Sequence, residues 1–310
     1  MATGNSILTT FDPSTNLDLF KKQLWRLFDN TDREALVDYE KVVKTKDSND
    51  LYERSMRIAG MDYPEPVLEN AAIPIDSPTY GTTKTWTQAK YGIGFKVSWE
   101  MKKYNRWDLV EKWTRNLKKN MREYKDTVVF RIYTSADATT YCAGYDALAL
   151  ASDSHLLIDA ATTYDNKTTS GLSVTTLEAA RVYFGTLVDD KNHKAPKRMD
   201  TLLIPVDLET TARQILNSDK VPFMMTNTSN ELPKILGSIN LVATPRLTDT
   251  NNWFALAKND EDFGPFVCTT QEPDMDVHAD YSDTRAIVTN SIQAFSYGFD
   301  HANAVYCGIV

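Results

Sequence analysis

Tyr91-Gly92-Ile93-Gly94-Phe95-Lys96-Val97-Ser98-Trp99 places a large apolar residue at every odd position and glycine, lysine or serine at every even one. A period of two is that of a β-strand with one buried face. A few residues on, the period changes. Leu109, Trp113, Leu117, Met121, Tyr124, Val128 and Ile132 follow at intervals of three and four, which is one face of an α-helix. The spacing predicts a helix from Asn105, opened by the capping pair Asn105 and Asp108, to Tyr133. No proline or glycine interrupts it, so at 1.5 Å per residue it forms a beam of roughly 40 Å. Its other faces carry Arg106, Lys112, Arg115, Lys118, Lys119, Arg122 and Lys125, either a solvated flank or a surface for a partner. Trp99, Trp107 and Trp113 mark the strand-to-helix junction; Trp113 is assigned to the core and Trp107 is left open.

With 310 residues the chain has length for one large or two modest domains, and 42% hydrophobic and 25% charged residues are ordinary for a globular protein. No stretch approaches a transmembrane span, and Met1 to Asn5 lacks the basic and apolar regions of a signal peptide, so a soluble chain made in a cytoplasm is expected. Cys142, Cys268 and Cys307 are widely spaced and odd in number, and read as buried free thiols. The net charge of -8 argues against nucleic-acid binding as the main activity. Its distribution is uneven. Lys84 to Arg131 holds 13 Lys and Arg against 5 Asp and Glu, whereas Asp200 to Val310 holds 6 against 15. Such opposite segments steer copies of one molecule toward one another.

Leu17, Phe20, Leu24, Leu27 and Phe28 share one face of a helix predicted over Leu17 to Phe28. From Leu51 to Thr87, Pro64, Pro66, Pro74 and Pro78 stand among Tyr63, Val67, Leu68, Ile73, Ile75 and Tyr80. That composition predicts an extended hairpin whose second arm is the Thr82 to Trp99 strand. A two-stranded arm cannot bury its own apolar face, so it needs a surface to lie on. After the beam, Thr175-Thr176-Leu177-Glu178 reads as a capping box starting a helix through Leu187. A strand Thr201 to Ile204 and a helix Leu208 to Leu216 follow. Further strands are expected at Ile239 to Ala243, Trp253 to Ala257, Phe266 to Thr270, Thr284 to Tyr297 and Ala304 to Ile309. The class is α+β.

Catalytic signals are sparse. His155 in Ser152-Asp153-Ser154-His155 invites a serine-hydrolase reading, but no Gly-x-Ser-x-Gly elbow presents a nucleophile, and a loop histidine is simpler. His193, His278 and His301 stand singly, without the spacing of a helical metal pair. Asp274, Asp276, Asp280 and Asp283 lack the glycine and closing glutamate of a calcium loop. Asn166-Lys167-Thr168 and Asn227-Thr228-Ser229 match the glycosylation pattern without a secretion signal. No catalytic, cofactor-binding or metal-binding residue is predicted.

The order of these elements resembles the tailed-bacteriophage major capsid protein of the Hong Kong 97 type, within it the Mu-like head subunits. Tyr91 to Glu100 resembles the descending arm of that family's extended loop as it enters the spine helix. Ala149-Leu150-Ala151-Ser152-Asp153-Ser154-His155 is similar to a Leu-Phe-Ser-x-x-His stretch after the spine, with Ala151 in place of the aromatic. Thr201 to Pro205 with the Leu208 to Ser218 helix resembles the axial-domain passage, and Asp283-Thr284-Arg285 through Tyr297-Gly298 resembles the closing strands. The resemblance implies an N-terminal arm over 1–50, an extended loop over 51–98, a peripheral domain over 99–197 with its spine helix over about 105–133, an axial domain over 198–265 and return strands over 266–310. It also implies a non-enzymatic subunit that assembles as hexamers and pentamers into an icosahedral head around double-stranded DNA. Contacts with neighbouring copies are expected at Tyr63, Ile73, Ile75, Tyr80, Lys84, Trp86, Lys90, Leu24 and Phe28. Lys84 and Lys90 lie on the loop where some family members form subunit crosslinks. A separate scaffolding protein, a portal and non-specific contact with packaged DNA are the implied partners, with no membrane and no cofactor. An encapsulin-like compartment of the same fold, and a hydrolase using His155, are the alternatives.

Overall fold

In the computed structural model, residues 17–29, 37–104, 106–158, 162–222, 229–279 and 286–310 are described. The expectations placed on Met1 to Asn5, Asn105, Asn227-Thr228, Asp280 and Asp283 to Arg285 lie outside them. The quoted alternation forms β4, Ala89–Val97, which pairs antiparallel with β12, Ile287–Phe299, in register from Ile287 opposite Val97 to Phe295 opposite Ala89. β12 pairs antiparallel with β11, Pro265–Ala279, and β11 pairs parallel with β1, Lys44–Asp47, giving the order β1-β11-β12-β4. Two helices, α1 at Leu17–Asp29 and α3 at Trp107–Val129, cover this sheet.

The beam is real but shorter and turned. A one-and-a-half-turn helix α2, Trp99–Lys103, precedes it, and α4, Arg131–Thr134, follows a break at Phe130. Arg106, not Asn105, takes the N-cap position, with no side-chain capping bond. The buried face of α3 is Trp107, Val110, Thr114, Leu117, Lys118, Met121, Lys125, Asp126, Val128 and Val129. Leu109, Trp113 and Tyr124, expected inside, are 37–43% exposed. Trp107, left open by the sequence, is the buried one: it packs edge-on to Phe20 with ring centroids 5.5 Å apart, in a core with Leu24, Phe28, Val97, Val110 and Ile287. Trp113 and Tyr124 instead sit at the rim, each edge-on to an odd residue of β4, Phe95 at 5.7 Å and Tyr91 at 5.4 Å.

The shift has a physical cause. Two lysines take places in the buried face by running their aliphatic stems along apolar surface. Lys125 Nζ donates to Thr269 Oγ1 and Glu272 Oε1, both at 2.9 Å, and Lys118 lies 4.9 Å over the Phe28 ring.

A second, five-stranded sheet has the order β7-β13-β10-β8-β9, formed by Lys167–Thr168, Val305–Gly308, Trp253–Leu256, Thr201–Pro205 and Asn240–Thr244. Every residue of β8 is buried, as a continuous apolar run in a covered sheet requires. Three helices accompany it: α5, Val174–Thr186; α6, Glu209–Asn217; and α7, Leu232–Leu236. The capping box of α5 is Ser173 with Thr176 rather than Thr175 with Glu178, which is tied up with Arg181. The closing strand β13 joins this sheet and not the four-stranded one, so the segment over 266–310 contributes to both. One core continues from Val128, Ile132 and Tyr133 through Val267 and Phe295 to Leu202 and Phe254. Cys142, Cys268 and Cys307 are buried free thiols.

The rotated face of α3 is testable by unfolding of the unassembled subunit. Trp107→Ala should cost about 3–5 kcal/mol, the range for emptying a buried aromatic site. Trp113→Ala should cost about 1 kcal/mol, the size of an edge-to-face pair. Equal costs would return Trp113 to the core.

Candidate interaction surface

The proline-rich stretch forms the hairpin only in part. Strands β2, Tyr52–Ile58, and β3, Tyr80–Thr87, pair antiparallel from Tyr52 opposite Thr87 to Ile58 opposite Tyr80. The chain then leaves the arm at Gln88 and enters β4 in the four-stranded sheet. The expected second arm, Thr82 to Trp99, is therefore two strands in two sheets. Between Ile58 and Tyr80 no strand forms, because Pro64, Pro66, Pro74 and Pro78 cannot donate to a ladder.

This loop holds much of the exposed apolar surface among the described residues. Ile75 is 93% exposed, Leu68 81% and Ile73 76%, with Met61, Tyr63, Val67 and Tyr80 also exposed. A contiguous patch of this character normally marks an interaction site.

The neck of the loop, at Asp62, Tyr63 and Asp76, faces its own subunit. Beyond α5 the chain makes a tight turn at residues 188–194, in which Asp189 Oδ1 accepts the amides of Lys191 at 3.0 Å and His193 at 2.7 Å. Asn192 adopts φ +64°, a left-handed conformation asparagine tolerates. Arg57 of β2 forks onto the Asp190 carboxylate, its Nε at 3.0 Å from Oδ2 and its Nη2 on Oδ1, and its Nη1 donates to the Leu156 carbonyl at 3.0 Å. Lys191 Nζ stands 3.5 Å from Asp62 and 4.0 Å from Asp76. The Tyr63 ring stacks on His193 with centroids 3.8 Å apart, and the Asp62 amide donates to Asp76 Oδ2 at 2.9 Å, closing the neck of the loop.

Of the residues expected to meet neighbours, Ile73, Ile75, Tyr80 and Lys90 lie on exposed surface, and Tyr63 is exposed while stacked on His193. Lys84 is half-buried, its Nζ 5.4 Å over the Trp86 ring. Three others require correction. Trp86 is 8% exposed, edge-on to Phe266 and lying so close over Gly298 that a Cβ there would collide with the indole. Leu24 and Phe28 are 0% and 1% exposed against α3. All three are occupied within their own subunit, because the arm and the hairpin root have intramolecular surfaces to lie on. Met61, Val67 and Leu68 join this exposed set, and the sequence signal for Val67 and Leu68 is their place among the prolines.

His155 is no general base. It is buried, its Nδ1 on Asp146 Oδ2 at 2.6 Å, its Nε2 3.3 Å from the Leu150 carbonyl and its ring stacked on Tyr164. The ring is 1% exposed and its Nε2 is turned to a backbone carbonyl, so no serine hydroxyl stands where a base would take its proton. Burial is the largest influence on Asp146 and opposes its ionisation, but the His155 contact and the backbone amides of Leu148 and Asp146 together hold the carboxyl below its usual range. Among the described residues no group of three or more His, Cys, Asp or Glu is placed to hold a metal, and no helix is long and apolar enough to cross a membrane.

A helix-backed sheet, a second α/β layer and a projecting loop make up a fold that known structures match over most of the chain. The virus-like particle of Pyrococcus furiosus superposes with a TM-score of 0.54 at 9% identity, covering 93% of this chain and 98% of that one. Microbacterium phage Oxtober96 gives 0.56 at 10% identity, covering 88% and 90%, and the capsid of Cyanophage P-SCSP1u gives 0.57 at 9%, covering 88% of each. No curated protein sequence matches the chain. Residues 81–307 match the phage capsid protein family, and the chain belongs to it. It is a structural capsid subunit that self-associates into the virion shell, not an enzyme.

The hairpin root supplies a pH prediction. His301, which packs at 5.4 Å from Tyr145, is lowered to about 4 by burial and then by the Arg57 charge, with Lys197 adding and Asp262 and Asp190 opposing. The unfolded chain takes up the proton near pH 6.5, so this stabilisation is complete above about 6.5 and is lost as pH falls through about 4. Subunit stability should drop by on the order of 1–3 kcal/mol across that window. His301→Gln should flatten the drop; an unchanged profile in urea titrations would contradict it.

Proposed function

We propose that the subunit assembles as hexamers and pentamers into an icosahedral head around double-stranded DNA, and that the loop over 59–79 is its principal reach onto neighbouring copies. The observation that carries this reading is the loop's exposed apolar surface: Met61, Val67, Leu68, Ile73 and Ile75 face solvent, while Asp62 and Asp76 at its neck stand beside Lys191 of the same subunit. An apolar ridge on a virion protein is stabilised when a second copy covers it. Ile73, Ile75 and Tyr80, with Lys84 and Lys90 nearby, are the proposed contact residues. Assembly in the host cytoplasm, a scaffolding protein, a portal and non-specific contact with packaged DNA belong to the same reading, supported by family membership. A cellular compartment is the second reading, favoured by the nearly full-length likeness to the Pyrococcus furiosus particle. Purified shells that contain phage DNA would exclude it.

Deletion of Pro66 to Pro74 spares Asp62, Tyr63 and Asp76 and so leaves the hairpin's inner contacts in place. The variant should remain folded, its unfolding midpoint within a few degrees of the parent, and form no shells by negative-stain microscopy. Normal shells from the deletion variant would remove the loop from the assembly contact.

A further inference from the structure

We propose that the turn at 188–194 is a clasp that sets the angle of the loop on its own subunit, so that the apolar ridge reaches a second copy already ordered. This rests on the shell-assembly reading above. Four contacts from separate residues converge on one rigid turn. At the root, Arg57 is fixed by the Asp190 carboxylate and the Leu156 carbonyl, and the Ile158 amide donates to the same Asp190 Oδ1 at 3.3 Å. At the neck, Lys191 stands between the carboxylates of Asp62 and Asp76, and Tyr63 lies flat on His193.

The division of labour follows from polarity. Each charged residue of the loop's neck that meets the clasp is acidic, and the turn answers with Lys191 and His193. Beyond Tyr63, the apolar residues Val67, Leu68, Ile73 and Ile75 between the two carboxylates stay exposed. A loop that must be ordered during association loses affinity to that ordering, whereas one held beforehand does not. The clasp residues are positioning residues: they touch the loop of their own subunit.

Spin labels on Leu68→Cys, at the tip, and Val182→Cys, on α5, test this in the unassembled subunit, because the three native cysteines are buried. The parent should give one narrow distance distribution. Lys191→Asp combined with Tyr63→Ala should lose the narrow peak and raise the subunit concentration at which shells first form about tenfold. Adding Asp62→Lys to Lys191→Asp, which reverses the pair, should restore the narrow peak and lower the threshold again; a merely structural lysine would not be rescued in this way. A distribution that stays narrow in Lys191→Asp with Tyr63→Ala would overturn the clasp. Broadening with an unchanged threshold would overturn its role in assembly while leaving the shell reading intact. Failure of the parent itself to form shells would count against the shell reading, and the distance distributions would still decide the clasp.

Discussion

One buried carboxylate joins the three parts of this subunit. Asp126, 1% exposed on the inner face of α3, accepts the backbone amides of Asp38 at 3.0 Å and Tyr39 at 2.9 Å on one oxygen, and Arg246 Nε at 2.7 Å on the other. The first two donors lead the N-terminal segment into β1, and the third follows β9 of the second sheet. An ion placed so deep is tolerated only when its acceptor sites are filled, and removing a partner from such a pair costs about 3–5 kcal/mol. The long helix, the four-stranded sheet and the five-stranded sheet are thus held to one geometry. On that fixed body the hairpin has somewhere to be anchored.

Anchoring explains why the hairpin can carry an apolar ridge without collapsing onto its own subunit. Its root is spent inward, through Trp86 on Phe266 and Gly298 and through Arg57 on Asp190. Its tip is broken by prolines, so it cannot extend the ladder or fold into a core. What remains is a ridge whose burial needs another molecule. In a family whose members build shells, that other molecule is a second copy.

The extent to which this was legible in the chain differs by element. β8 was readable because five consecutive buried positions leave no phase to mistake. The period of α3 was equally plain, but its phase was not, since Lys118 and Lys125 count as solvent residues in any pattern and are buried by their stems. The arm over 82–99 reads as one strand because each half alternates, although the phase slips by one residue between Trp86 and Tyr91, where the chain changes sheet at Gln88. Leu24 and Phe28 were visible as an apolar stripe, but no sequence pattern says whether such a stripe meets its own helix or a neighbour's. The clasp left no local signal, since its partners lie more than a hundred residues apart. His155 looked catalytic only because its partners, the Leu150 carbonyl and Tyr164, belong to the fold.

The central claim is that the ridge is open in the free subunit and covered in the shell. Ile75→Cys places a single reactive thiol at the most exposed point of the ridge, on a background of three buried cysteines. Maleimide labelling should be fast in unassembled protein and strongly slowed in purified shells. Equal rates in the two states would contradict the account.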